Sequence, residues 1–185
     1  LIAGGQTMSN KTKKLIAETL LSMAQHKNLD KITVTDLVEA CGISRQTFYY
    51  HFQDILDVIE WTIGQAVQNA LERSLAAKTP EEATRNFVLM AIRHHELLDK
   101  MVFSQKRDQV ERLVIQGVRT YLQELARRIG PNSSMSLYDP EVVLDFYTYG
   151  ITGVLLNNCG KTSVDVDRLS KQLCQLFEGL DGKGR

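Results

Sequence analysis

The sequence predicts an all-α protein: an N-terminal three-helix domain with a helix-turn-helix, then a larger C-terminal helical body, about nine helices in total. Three observations predict it. N-cap residues stand ahead of most apolar-periodic segments, and Gly or Pro stands at their ends. Apolar residues recur at three- and four-residue spacing. Nowhere do apolar and polar residues alternate over a run bounded by turns, so no strand is expected.

The elements follow in order. A first helix is expected from about Lys11 to His26, with Ile16, Leu20, Met23 and Ala24 along one face. Thr33-Val34-Thr35-Asp36 reads as a capping box, its Thr hydroxyl accepting from a free backbone N–H. The short helix it opens should stop at Gly42, which tolerates the left-handed conformation of a helix end. Ser44 can cap a third helix reaching His51, and Asp54 a fourth with Leu56, Ile59, Ile63, Val67 and Ala70 on one side. Thr79-Pro80-Glu81-Glu82 offers an N-cap and a proline at the first helical position, opening a helix to Leu98. Another is expected from Ser104 to Ile129, with Val110, Leu113, Val114, Gly117, Val118, Tyr121 and Leu125 in register. Gly130 to Ser134 makes the clearest loop, and Asp139-Pro140 opens a helix to Asn157 that is apolar nearly all round. A last helix carries Leu169, Leu173, Leu176, Phe177 and Leu180 before a Gly-rich tail expected to fray.

Composition bounds the function. The chain has 185 residues, 43% hydrophobic and 24% charged, as in an ordinary globular protein. Lys+Arg and Asp+Glu balance at 22 each, so no global basic field steers it to nucleic acid. Up to Ile55 the basic residues Lys11, Lys13, Lys14, Lys27, Lys31 and Arg45 barely outnumber Glu18, Asp30, Asp36, Glu39 and Asp54. Specific contacts would therefore have to supplement phosphate attraction. Cys41, Cys159 and Cys174 are odd in number and far apart, which suits a reducing cytoplasm rather than a disulfide framework. No signal peptide is read at the start; Met8 reads as the natural start, with residues 1–8 disordered or tag-derived. The most apolar segment, Val142 to Leu156, is too short to span a membrane and carries Asp145.

The informative stretch is Ile32 to Phe52, ITVTDLVEACGISRQTFYYHF. Two short helices meet across Cys41-Gly42-Ile43, the tight turn a helix-turn-helix demands, and Val34, Leu37, Val38 and Ile43 can pack the pair together. The second helix would enter the major groove with its N-terminal end toward base edges. Arg45 could donate a fork to guanine, Gln46 could read adenine, and Thr47 could bond a base or touch a thymine methyl. Tyr49, Tyr50 and His51 carry polar tips suited to phosphate oxygens, and the N–H groups near Thr33 offer a further phosphate seat. The competing reading of these side chains is a solvated helical surface; the turn ahead of them favours the interface.

Here the sequence resembles the tetracycline-repressor (TetR) family of bacterial regulators. The likeness rests on the apolar pattern of the first helix, then I-T-V-x-D-L-x-x-x-C-G-I-S-x-x-T-F-Y-Y-H-F, then a leucine-bearing fourth helix, about Lys11 to Trp61. The resemblance implies DNA contacts at Thr33, Ser44, Arg45, Gln46, Thr47, Tyr49, Tyr50 and His51, with Phe48 and Phe52 as core anchors. One departure stands out: many members place a phosphate-binding Lys three residues after the Phe, and this chain has Ile55.

The expected organisation is a DNA-binding domain at 9–55 and an effector-binding and dimerisation domain at 56–185. The resemblance implies a homodimer in which the last two helices pair with their copies, while Gly150 and Gly153 would let a helix approach closely. Met90, His94, Tyr121 and Tyr147, with Tyr149, are the candidate lining of a pocket for a small-molecule effector, although such residues at helical spacing more often fill cores. His94 and His95 point to different helix faces, so no metal site is expected from them, and no cofactor is implied. Cys159 before Gly160 could be an exposed, oxidisable thiol, with a silent small residue as the plainer reading. The expected function is a regulator, a repressor by preference, that binds a palindromic operator in double-stranded DNA and leaves it on binding the effector. The alternative is a family-like regulator, an activator among the options, controlled by a partner protein. An enzyme is not expected, since GxSxG, HExxH, P-loop and dinucleotide fingerprints are all missing from the sequence.

Overall fold

The computed structural model describes residues 3–93, 100, 104–129, 139–158 and 164–179, without the side chains of 3–8, 129 and 177–179. Eight α-helices and one 3-10 turn lie among the described residues, and no strand does. In chain order these are α1 (Ala3–His26), the 3-10 turn Leu29–Lys31, α2 (Val34–Cys41), α3 (Arg45–His51), α4 (Ile55–Ala76), α5 (Pro80–Arg93), α6 (Arg107–Ile129), α7 (Pro140–Asn158) and α8 (Val166–Gly179). The chain divides into two compact units, Leu1–Gly64 with Glu96–Glu111, and Gln65–His95 with Arg112–Arg185.

In the first unit α1 packs on α2 and α2 on α3. α1 begins at Ala3 rather than near Lys11; Gly4 and Gly5 are poor helix formers, so pattern alone puts the start later. Its buried face is Ile16, Ala17, Leu20 and Ala24, while Met23 is only half-buried. After α1 the chain tightens into a turn that the sequence reading passed over. Asn28 accepts from the Asp30 N–H at 2.9 Å, and Leu29 and Ile32 drop into the core. The buried stripe of α4 in this unit is Ile55, Val58, Ile59 and Thr62, at the spacing of one helical face. Leu56 and Ile63, expected on that face, lie at its edges and are half-buried. Thr62 fits because its hydroxyl donates to the Val58 carbonyl at 2.7 Å.

In the second unit α5 packs on α8, tied at the rim by Arg85 Nε donating to Asp167 at 2.7 Å. α5 opens where expected, Thr79 Oγ1 accepting from the Glu82 N–H at 3.1 Å. It is described to Arg93, and the expected continuation to Leu98 lies outside the described residues. α6 starts at Arg107 after a turn over Ser104, and buries Val114, Val118 and Tyr121 in this unit. The Tyr121 ring lies 4.4 Å from Phe87, and its hydroxyl donates to Ser74 Oγ at 2.8 Å. The Ser74 hydroxyl donates in turn to the Ala83 carbonyl at 3.0 Å, so this buried polar chain is closed. Arg119 of α6 bonds both Glu141 and Asp145 of α7.

Two helices differ from expectation. α7 reads as apolar nearly all round, yet its buried positions among the described residues fall on one face, Thr148, Ile151, Thr152 and Leu155. Val142, Phe146 and Tyr149 are each more than 60% exposed, with Gly150 and Gly153 also open. In α8, Ser170, Leu173 and Cys174 are buried, while Leu176 is 63% exposed. Composition does not separate a face covered by the chain itself from one left open; the packing does. The 130–134 loop, Cys159 and the Gly-rich tail lie outside the described residues.

Candidate nucleic-acid interface

The helix-turn-helix is built by local chemistry. Thr33 caps α2: its hydroxyl accepts from the Asp36 N–H at 3.1 Å, and the Asp36 carboxylate accepts from the Thr33 N–H at 2.9 Å. Lys27, at the end of the first helix, adds its ammonium to the same carboxylate at 2.8 Å. That ammonium above all, with the Thr33 N–H and hydroxyl adding to it, holds the Asp36 carboxyl down to about 2. α2 ends in a Schellman turn. Gly42 sits at φ 65°, ψ 32°, its N–H reaching the Glu39 carbonyl while the Ile43 N–H reaches Val38 at 3.0 Å. That left-handed residue is the reason a glycine stands here.

Ser44 then caps α3, accepting from the Thr47 N–H at 3.0 Å and sharing a hydroxyl–hydroxyl bond of 2.9 Å with Thr47. Phe48 and Phe52 anchor the helix inward, 0% and 2% exposed, with ring centroids 6.0 Å apart. Phe52 continues the stack to Trp61, and Lys13 Nζ sits 5.3 Å from its ring centroid. The outer face of α3 stands open. Arg45 and Gln46 are exposed, Tyr49 is 58% exposed and Tyr50 81%. His51 is half-buried, edge-on to Tyr50 at 4.9 Å, with Nδ1 3.5 Å from Ser9 Oγ. Burial first and Lys13 second push its pKa below the usual histidine value, favouring the neutral ring at pH 7.

α3 and its cap thus gather Ser44, Arg45, Gln46, Thr47, Tyr49, Tyr50 and His51, with Thr33 at the start of the neighbouring helix. Arg45 Nη2 donates to Thr35 Oγ1 of α2 at 2.6 Å, a tie the sequence reading missed, as it missed Lys27 on Asp36. No motif marks either bond, because both partners come together only when the helices pack. Ile55, where a phosphate-binding Lys was sought, is 7% exposed and belongs to the core. Two of the residues singled out as pocket lining have partners of their own. Tyr121 contacts Phe87 and Ser74, Tyr147 lies edge-on to Phe146 at 5.8 Å, and Met90 is half-buried. Tyr149 is exposed, and His94 lies outside the described residues.

Residues 16–60, which contain this whole helix-turn-helix, match the model of the bacterial regulatory proteins of the tetR family. This domain is thus similar to the DNA-binding domain of that family, and the match covers about a quarter of the chain. It is 21% identical over 192 aligned positions to the HTH-type transcriptional regulator YerO of Bacillus subtilis, covering 92% of this chain and 66% of that one. It is 26% identical over 95 positions to the HTH-type dhaKLM operon transcriptional activator DhaS of Lactococcus lactis, covering 51% of this chain and 48% of that one. The chain thus spans less than two thirds of the length of either relative. Among solved structures, a TetR-family transcriptional regulator from Syntrophomonas wolfei superposes with a TM-score of 0.68 at 11% identity, covering 95% of this chain and 97% of that one. That likeness shows the fold. Both relatives are named as transcriptional regulators, and no helix among the described residues is long and apolar enough to cross a membrane.

Proposed function

We propose that this protein is a regulator of the tetR family, a cytoplasmic repressor that binds a palindromic operator as a homodimer and leaves it on binding a small-molecule effector. The observation that carries the reading is the open outer face of α3. Tyr50 is 81% exposed two residues after Phe48, which is fully buried, so the helix is fixed by one side and presents the other. Arg45, Gln46 and Thr47 would read base edges; Thr33, Ser44, Tyr49, Tyr50 and His51 would meet phosphates. A neutral His51 keeps one ring N–H to donate to a phosphate oxygen. Dimerisation is supported by Val142, Phe146 and Tyr149 on α7 and Leu176 on α8, large apolar side chains open in the single chain. A side chain added at Gly150 or Gly153 would meet nothing within 4 Å among the described residues, leaving room there for a partner helix. Two recognition helices about 34–36 Å apart would then read successive turns of duplex. The effector would lie against Met90, Tyr121 and Tyr147, and would drive release by favouring a conformation that cannot span the two half-sites.

A second reading has its own support. DhaS is named an operon activator, and the buried Tyr121 side chain already packs against Phe87 and bonds to Ser74. On that reading a partner protein, not a small ligand, sets the regulator's state. Selection of bound duplexes from a random pool, at stated salt, tests the shared core of both. A two-fold symmetric consensus is the expected result. Enrichment of no duplex at any salt defeats the DNA-binding reading.

A further inference from the structure

Arg45 opens α3 on the exposed face, yet its guanidinium is tethered. Its Nη2 donates at 2.6 Å to the hydroxyl of Thr35 in the first turn of α2, ten residues back along the chain. A free surface arginine samples many rotamers and meets whatever acceptor comes first. Here the acceptor is a β-branched side chain, stiff about χ1, on a helix whose start is itself fixed by the Thr33–Asp36–Lys27 bonds. The guanidinium is planar with five N–H donors, so giving one Nη2 hydrogen to Thr35 leaves one of its two parallel-donor edges intact. Two parallel donors match O6 and N7 of guanine, and the N-terminal end of a recognition helix is the end that reaches base edges.

We infer that Thr35 is a positioning residue that aims Arg45 at a guanine in the major groove, so that sequence preference depends on a hydroxyl which itself touches no base. The inference rests on the DNA-binding reading above. It extends that reading by dividing the work: Arg45 reads, Thr35 holds it in line, and the Ser44–Thr47 pair holds the helix start beside them.

The test uses the full chain, the duplex it selects, and a set of duplexes with one base pair replaced at a time. Thr35→Val keeps shape and stiffness while removing the acceptor. Its expected effect is about a tenfold loss of discrimination at one G·C pair of each half-site. That pair is the one at which Arg45→Ala erases preference, whereas affinity for unrelated duplex and the melting temperature stay unchanged. Thr35→Ser restores discrimination, and the double variant Thr35→Val, Arg45→Ala is no worse than Arg45→Ala alone. Uniform weakening on every duplex with preferences intact would make Thr35 a phosphate contact and overturn the inference. Unchanged discrimination, or additive losses in the double variant, would overturn it too. A wild-type protein that prefers no duplex sinks the DNA-binding reading beneath it; a wild type with preference and an unaltered Thr35→Val sinks the positioning role alone.

Discussion

Phe48→Ala and Tyr50→Ala change two aromatic residues of the same seven-residue helix, and the structure assigns them opposite consequences. Phe48 is fully buried, edge-on to Tyr49 at 5.4 Å and near Phe52 at 6.0 Å. Deleting its ring removes about 2–3 kcal/mol of transfer free energy. The cavity left behind raises the total to about 3–5 kcal/mol. The Tyr49 contact adds little, because Tyr49 is itself 58% exposed. Tyr50 at 81% exposed has almost no burial to lose, and its removal should cost less than about 0.5 kcal/mol. The single tryptophan, Trp61, lies 6.1 Å from Phe52 and reports on this unit by fluorescence. With a slope of about 2 kcal/mol per molar urea, Phe48→Ala should lower the unfolding midpoint by about 2 M. Tyr50→Ala should leave it within about 0.3 M while weakening binding to all duplexes alike. A Tyr50→Ala shift of even half that seen for Phe48→Ala would refute the argument, since the outer face of α3 would then be packed rather than presented.

Three further outcomes follow from the same geometry. Asp36 sits at about 2 when folded, below the ordinary aspartate value of 3.8, so its contribution is complete above about pH 4 and is lost as pH falls toward 2. Asp36→Asn should flatten the melting temperature across that window, and an unchanged acid limb would count against the Lys27–Asp36 bond. Ser74→Ala should strand the buried Tyr121 hydroxyl and cost about 1–3 kcal/mol. Tyr121→Phe should cost less, because Ser74 keeps the Ala83 carbonyl as partner; equal losses in denaturant unfolding would contradict this. Phe146→Glu, at a position 67% exposed in the single chain, should convert the proposed dimer to monomer in sedimentation velocity without lowering monomer stability. A variant that sediments like wild type would move the dimer interface elsewhere.

What the sequence determined by itself is what depends on neighbours along the chain. The caps at Thr33, Ser44 and Thr79 and the left-handed Gly42 each rest on bonds spanning three to five residues, and all stand where the residues put them. The inward pair Phe48 and Phe52 is legible for the same reason, since residues four apart share a helix face. Packing decided the rest. Arg45 meets Thr35, Lys27 meets Asp36, Tyr121 meets Ser74 and Arg85 meets Asp167 across separations of 10, 9, 47 and 82 residues. No spacing rule encodes such pairs. The apolar surround of α7 shows the limit most plainly: hydrophobicity says that Val142 and Phe146 favour leaving water, but only the folded chain shows which faces it covers and which it leaves open. Burial is a property of three-dimensional neighbours, and a linear pattern names the candidates without choosing among them.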